Sequence, residues 1–154
     1  MNYENLLDEA VNDNLYVIEN LTFDSNSKGL ISNDVIGLNK NIHTSKERAC
    51  VLAEELGHYY TSVGCIVDLN DMSNSKQEQK ARLWGYNKLI GLCGLIDAYK
   101  AGCRCRYEIA DYLDVTETYL DEAVARYTSK YGTYTIIDNF VIYFIPNLGV
   151  MELI

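Results

Sequence analysis

The chain of 154 residues predicts an α+β fold, and three observations carry the prediction. Short strand-type pieces cluster between residues 15 and 40, and helical periodicity occupies most of 45–130. A hairpin signal then follows at 133–145. The length is that of one domain, nearly half of the residues (48%) are hydrophobic, and Pro146 is the one proline, so an ordered core is expected. No stretch repeats with a period of 20 to 50 residues, and no composition shift marks a linker.

Residues 3 to 12 set Tyr3, Leu6, Leu7 and Ala10 at helical spacing, with acids on the other side. Asn12-Asp13-Asn14 punctuates, and 15–19 reads as a strand. A turn cluster at 24–29 precedes two further β-type pieces, 30–31 and 35–38, so a small antiparallel sheet is expected across 15–40. Thr44-x-x-Glu47 fits a capping box for a helix over 45–62, which is apolar on most sides and should run through the middle of the domain. Gly64 and 68–71 read as the loop after it. Ser75-x-x-Glu78 reads as a second box, opening a helix towards Leu95 that is weakened late by Gly91 and Gly94.

Residues 106–130 read as two helices broken at Asp114-Val115-Thr116, a helix-turn-helix-like pair. The chain closes with strands at 133–137 and 140–145 turned at Asp138-Asn139, and 150–154 as an edge strand or docked tail. The expected organisation is one domain over 1–154, subdivided into a core (1–98), a helical part (99–131) and a C-terminal hairpin (132–154).

Charge excludes several functions. A net charge of -9 lacks the basic footprint that binds phosphate backbones, so no nucleic-acid partner is expected. Asp111, Asp114, Glu117, Asp121 and Glu122 make a DNA-reading role for the helical pair still less fitting. Met1-Asn2-Tyr3-Glu4 has no basic export-signal start, and no stretch approaches the ~20 apolar residues of a membrane span. Five irregularly spaced cysteines then suit reduced thiols in a cytoplasm better than a disulfide framework, and Cys93 with Cys103-Arg104-Cys105 lacks zinc-ribbon spacing. The thirteen tyrosines read as partly exposed core edges, and Trp84 and Tyr86 as core.

The chemistry-bearing stretch is Glu54-Glu55-Leu56-Gly57-His58. It differs by one residue from H-E-x-x-H, in which two histidines four apart hold a metal and the glutamate activates water. Glu54 and His58 lie on one helix face and can reach one ion. Glu55 is rotated by about 100° to the flank, suited to moving a proton. A third ligand is needed, and Glu78 follows His58 by twenty residues.

Arg48-x-x-x-Leu52-Ala53-Glu54-Glu55-Leu56-Gly57-His58-Tyr59, followed by Lys76-Gln77-Glu78-x-x-Ala81-x-x-Trp84-Gly85-Tyr86, resembles the ImmA/IrrE metallopeptidases. Members commonly show A-H-E-L-G-H and E-x-x-A-x-x-F-A, and the similarity is closest to short forms carried by phages, prophages and mobile elements. The resemblance implies a zincin-like core and a cytoplasmic, zinc-dependent endopeptidase that cuts a helix-turn-helix transcriptional repressor. Carried over by position, Glu54, His58 and Glu78 would be the metal ligands and Glu55 the general base. Glu54 departs from the family's histidine. A second carboxylate keeps a legitimate ligand but weakens the ion as a Lewis acid and shifts preference from Zn²⁺ towards Mn²⁺ or another harder ion. His43 is the one other histidine that could replace the lost imidazole. The alternative is a non-catalytic antirepressor that keeps the fold and acts by binding the repressor.

Overall fold

The computed structural model describes residues 1–62 and 71–154, with side chains from 75 onward in the second stretch. The loop expected at Gly64 and 68–70 lies outside the described residues, as does Cys65. The described residues gather into two compact units, Met1–Gly85 and Tyr86–Ile154. The boundary between them falls inside a helix.

In the first unit, α1 (Tyr3–Asn12) begins at Asn2, whose side chain accepts from the Asn5 backbone N–H and closes a capping box. It buries Tyr3, Leu6 and Ala10, the apolar stripe its spacing predicts. Strands β1 (Tyr16–Leu21), β2 (Gly29–Ser32) and β3 (Val35–Asn39) form a sheet in the order β1-β3-β2. The β2–β3 pair is an antiparallel hairpin turned at Asn33-Asp34, with Asn33 in the left-handed region at φ 52°. The remaining strand corrects the expectation: β1 pairs parallel to β3, which lies between the two strands that precede it. The sheet is therefore mixed. The small antiparallel sheet of the prediction survives as this hairpin and as a second sheet described below.

Helix α2 (Ser45–Thr61) packs on α1, β2 and β3. Its N-cap is Thr44, which accepts from the Glu47 N–H at 3.1 Å. The reciprocal half of the expected box gives way to an ion pair, since the Glu47 carboxylate takes Lys28. Ile36 and Leu38 of β3 lie fully buried, with Leu52, Ala53 and Leu56 of α2 similarly enclosed. Asn39, one of the few buried polar side chains, donates to the Ser27 carbonyl and accepts from the Asn41 N–H, both at 2.9 Å. Satisfied in this way, it pins the segment before β2 to the end of β3.

Helix α3 runs Asp71–Leu89, a turn earlier than the Ser75 box predicts. Ser75 is thus a helical residue and not a cap. Helix interiors tolerate serine at a cost of a few tenths of a kcal/mol, too little for a local cap signal to stop the helix there. Glu78 is correspondingly set well inside α3. Tyr60 stacks on Trp84 with ring centroids 5.0 Å apart and donates from its hydroxyl to Asp13.

In the second unit the expected single helix to Leu95 is broken. Helix α4 (Gly91–Lys100) starts anew after Ile90, with Gly91 at φ +63°. Helices α5 (Arg106–Leu113) and α6 (Glu117–Tyr131) match the expected pair, joined through Asp114 in the left-handed conformation and capped by Thr116. Sheet β4-β5-β6 (Tyr134–Ile137, Phe140–Tyr143, Gly149–Glu152) is antiparallel throughout. The last segment is therefore an edge strand. Tyr127 is wholly buried and its hydroxyl donates to Asn87 Oδ1 at 3.0 Å, while Tyr86 reaches Glu122. The exposed face of α6 carries Glu117, Asp121 and Glu122. No helix among the described residues is long and apolar enough to cross a membrane.

Candidate metal centre

The first unit brings three of the predicted site residues together. Glu54 and His58 project from α2 one turn apart, and Glu78 projects from α3. One ligand atom of each lies within 4.8 Å of the others. His58 Nε2 and Glu78 Oε2 are 3.2 Å apart. Two donors each about 2.1 Å from a tetrahedral ion stand about 3.4 Å apart, so this pair already has the separation a shared ion requires. The donors, two carboxylates and one imidazole, suit a divalent cation.

The close approach of α2 and α3 has a local cause. A Cβ on Gly57 would stand 2.9 Å from the Ala81 carbonyl carbon and nearer still to its oxygen. Only the absence of a side chain at 57 lets the two backbones meet, and that contact sets His58 against Glu78.

Glu55 is 8% exposed, a buried carboxyl on the flank of the cluster. Strand β2 lies directly over it, since a Cβ at Gly29 would be 2.9 Å from Glu55 Oε1 and 2.7 Å from Val51 Cγ1. Burial, then the charges of Glu54 and Glu78, push the Glu55 carboxyl up to about 7. Glu54 is also raised to about 7, chiefly by burial and by its hydrogen bond to Glu78, with Arg82 pulling the other way. Like charges held this close are stabilised by a proton, a cation, or both.

A cleft of about 740 Å³ opens over these residues. Its walls include Ser27, Gly29, Leu30, Ile31 and Asn33 on the β2 side, and Tyr59, Ser62 and Arg82 on the helical side. Arg82 was not singled out in the sequence. Its Nε lies 3.2 Å from Glu78 Oε1 and 3.5 Å from Glu54 Oε1. Its position four residues after Glu78 places both on one face of α3, and that spacing was a readable signal. The placement of β2 over the helix had no such signal, because which strand crosses a helix is a long-range matter. His43 is exposed in the turn before α2 and is not part of the cluster. Among the described residues no second grouping of His, Cys, Asp and Glu could share an ion, and Cys93, Cys103 and Cys105 carry free thiols.

Comparison with known proteins agrees with this geometry. No curated protein and no solved structure matches the chain. Residues 12–124, well over half of the chain, match the family described as the IrrE N-terminal-like domain, peptidase M78. The chain belongs to that family, and its α+β fold is of the metallopeptidase type.

Proposed function

We propose that the protein is a metal-dependent endopeptidase. The observation that carries this reading is the convergence of Glu54, His58 and Glu78 within 4.8 Å, beside buried Glu55 and at the floor of a cleft. Glu54, His58 and Glu78 would hold a divalent ion, with Zn²⁺ first and Mn²⁺ second. When bound, the ion supplies Lewis-acid polarisation of a peptide carbonyl. Glu55, raised towards neutrality by burial, is suited to take a proton from the attacking water and hand it to the leaving amine. A buried carboxyl whose affinity for a proton is raised can serve as both base and acid, because proton transfer is most effective when that affinity lies near the working pH. The strand-side wall of the cleft, which includes the exposed side chain of Leu30, supports binding of an extended peptide.

The substrate we propose is a helix-turn-helix transcriptional repressor of a phage or mobile element, met in the bacterial cytoplasm. The family membership and the resemblance to repressor-cleaving members support it. The acidic exposed face of α6 favours a protein partner over nucleic acid.

One observation favours a second reading. Glu54 stands where the resemblance places a histidine, and Arg82 already partners Glu54 and Glu78. A site neutralised from within suits an antirepressor that binds the repressor without cutting it. Metal analysis of the purified protein and co-expression with a candidate repressor separate the two. Stoichiometric Zn²⁺ or Mn²⁺ that disappears in Glu54→Ala and His58→Ala, with repressor cleavage, supports the peptidase. Absence of metal at saturating supply sinks it, and relief of repression without cleavage moves the function to the antirepressor.

A further inference from the structure

We propose that Arg82 is a tethered cation that competes with a divalent ion for Glu54 and Glu78. This deepens the metal-site reading above and rests on it. Arg82 Nε is 3.2 Å from Glu78 Oε1 and 3.5 Å from Glu54 Oε1, so one guanidinium bridges two of the three donors. Guanidinium is protonated at every pH a protein survives, so its charge is permanent. The two carboxylates on their own would repel, and Glu54 adds a negative charge that an imidazole at that position would not. Arg82 balances that added charge in the ion-free protein.

The same contact works against a bound ion. A divalent cation held among Glu54, His58 and Glu78 would lie a few ångströms from the guanidinium, and like charges that close are unfavourable even when partly screened. The carboxylates would also have to loosen their hold on Arg82 to give their oxygens to the ion. The Arg82 side chain is 51% exposed, which leaves it room to swing into solvent as the ion enters. The site thus exchanges one cation for another. Its affinity for metal is set partly by a residue that is not a ligand.

The test compares wild type with Arg82→Gln and Arg82→Lys, titrated with Zn²⁺ and Mn²⁺ against a chromogenic chelator, with melting curves in EDTA and in excess ion. Arg82→Gln removes the competing charge, so both ions should bind ~10-fold tighter or more. Its melting temperature in EDTA should fall below wild type, while in saturating ion it should equal or exceed it. Arg82→Lys keeps the charge and should stay near wild type in both measurements. A residue that merely supports the fold would lower the melting temperature equally with and without ion. Unchanged or weaker ion binding by Arg82→Gln, while wild type binds, overturns the role of Arg82 and leaves the metal site standing. No binding by either protein overturns both. Should Arg82→Gln not fold in EDTA, ion must rescue it, and a variant that stays unfolded in excess Zn²⁺ overturns the proposal.

Discussion

Gly57 of α2 faces the Ala81 backbone of α3 with no side chain between them. The donors on the two helices are close because of that contact. In Gly57→Ala the new methyl would overlap the Ala81 carbonyl, and overpacking of this kind costs about 1–3 kcal/mol. Urea denaturation should show the loss, and ion affinity should fall with it as His58 and Glu78 separate. Gly94→Ala on α4 is the control. Its added Cβ would meet only the flexible Leu113 side chain, at 3.4 Å. Relief of glycine's helix penalty should then stabilise by about 0.5–1 kcal/mol. Equal tolerance of both substitutions would remove the packing explanation for the site.

Ion-free protein should lose stability as pH rises. Glu54 and Glu55 are both raised to about 7 in the folded chain, above their value when unfolded. Folding therefore takes up protons, and the benefit is complete below the unfolded carboxyl range and is lost as pH climbs through about 7. The melting temperature in EDTA should drop between about pH 5 and pH 8. Ion affinity should rise over the same window, since carboxylate ligands must be deprotonated to bind. A melting temperature that climbs with pH in EDTA would contradict the carboxyl cluster as described.

Under the peptidase function proposed above, Glu55→Gln separates proton transfer from metal binding. The amide keeps the shape but cannot carry the proton, so cleavage of the substrate should fall by about 10²–10⁴-fold with metal content unchanged. The same substitution removes one buried charge under β2, so in EDTA at alkaline pH the variant should melt higher than wild type. At acid pH, where Glu55 is already neutral, the two should coincide.

In the second unit, Tyr127→Phe tests a buried hydrogen bond. The hydroxyl reaches Asn87 Oδ1 at 3.0 Å from a fully enclosed ring. Its loss should cost about 0.5–1.5 kcal/mol, seen as a lower urea midpoint with an unchanged slope. Burial also raises the Tyr127 hydroxyl well above the ordinary tyrosine value, so the ring should stay un-ionised at alkaline pH where a free tyrosine ionises.

Elements governed by local chemistry were legible in the chain. Helix α1 matches its predicted span residue for residue, and α5, α6 and the Asp138-Asn139 turn follow from caps and periodicity. The pairing of Glu54 with His58 was legible for the same reason, because the two share a helix face by spacing alone. Long-range features were not. The parallel placement of β1 beside β3 depends on which strand inserts between the others, and no local residue pattern specifies that. Ser75 carried a cap signal that continued helix geometry overrode. Arg82 sat in plain view at helical spacing from Glu78, but its second partner, Glu54, comes from a different helix.

Glu78 and His58 belong to different helices, twenty residues apart along the chain. An ion gripping both would act as a removable cross-link, closing that stretch of chain into a loop. By the chain-entropy estimate used for disulfides, closing about twenty residues disfavours the unfolded state by about 3 kcal/mol. Chelation should therefore register mechanically as well as chemically. Amide hydrogens of α2 and α3 should exchange faster once the ion is stripped, and those of α5 and α6 should be affected far less.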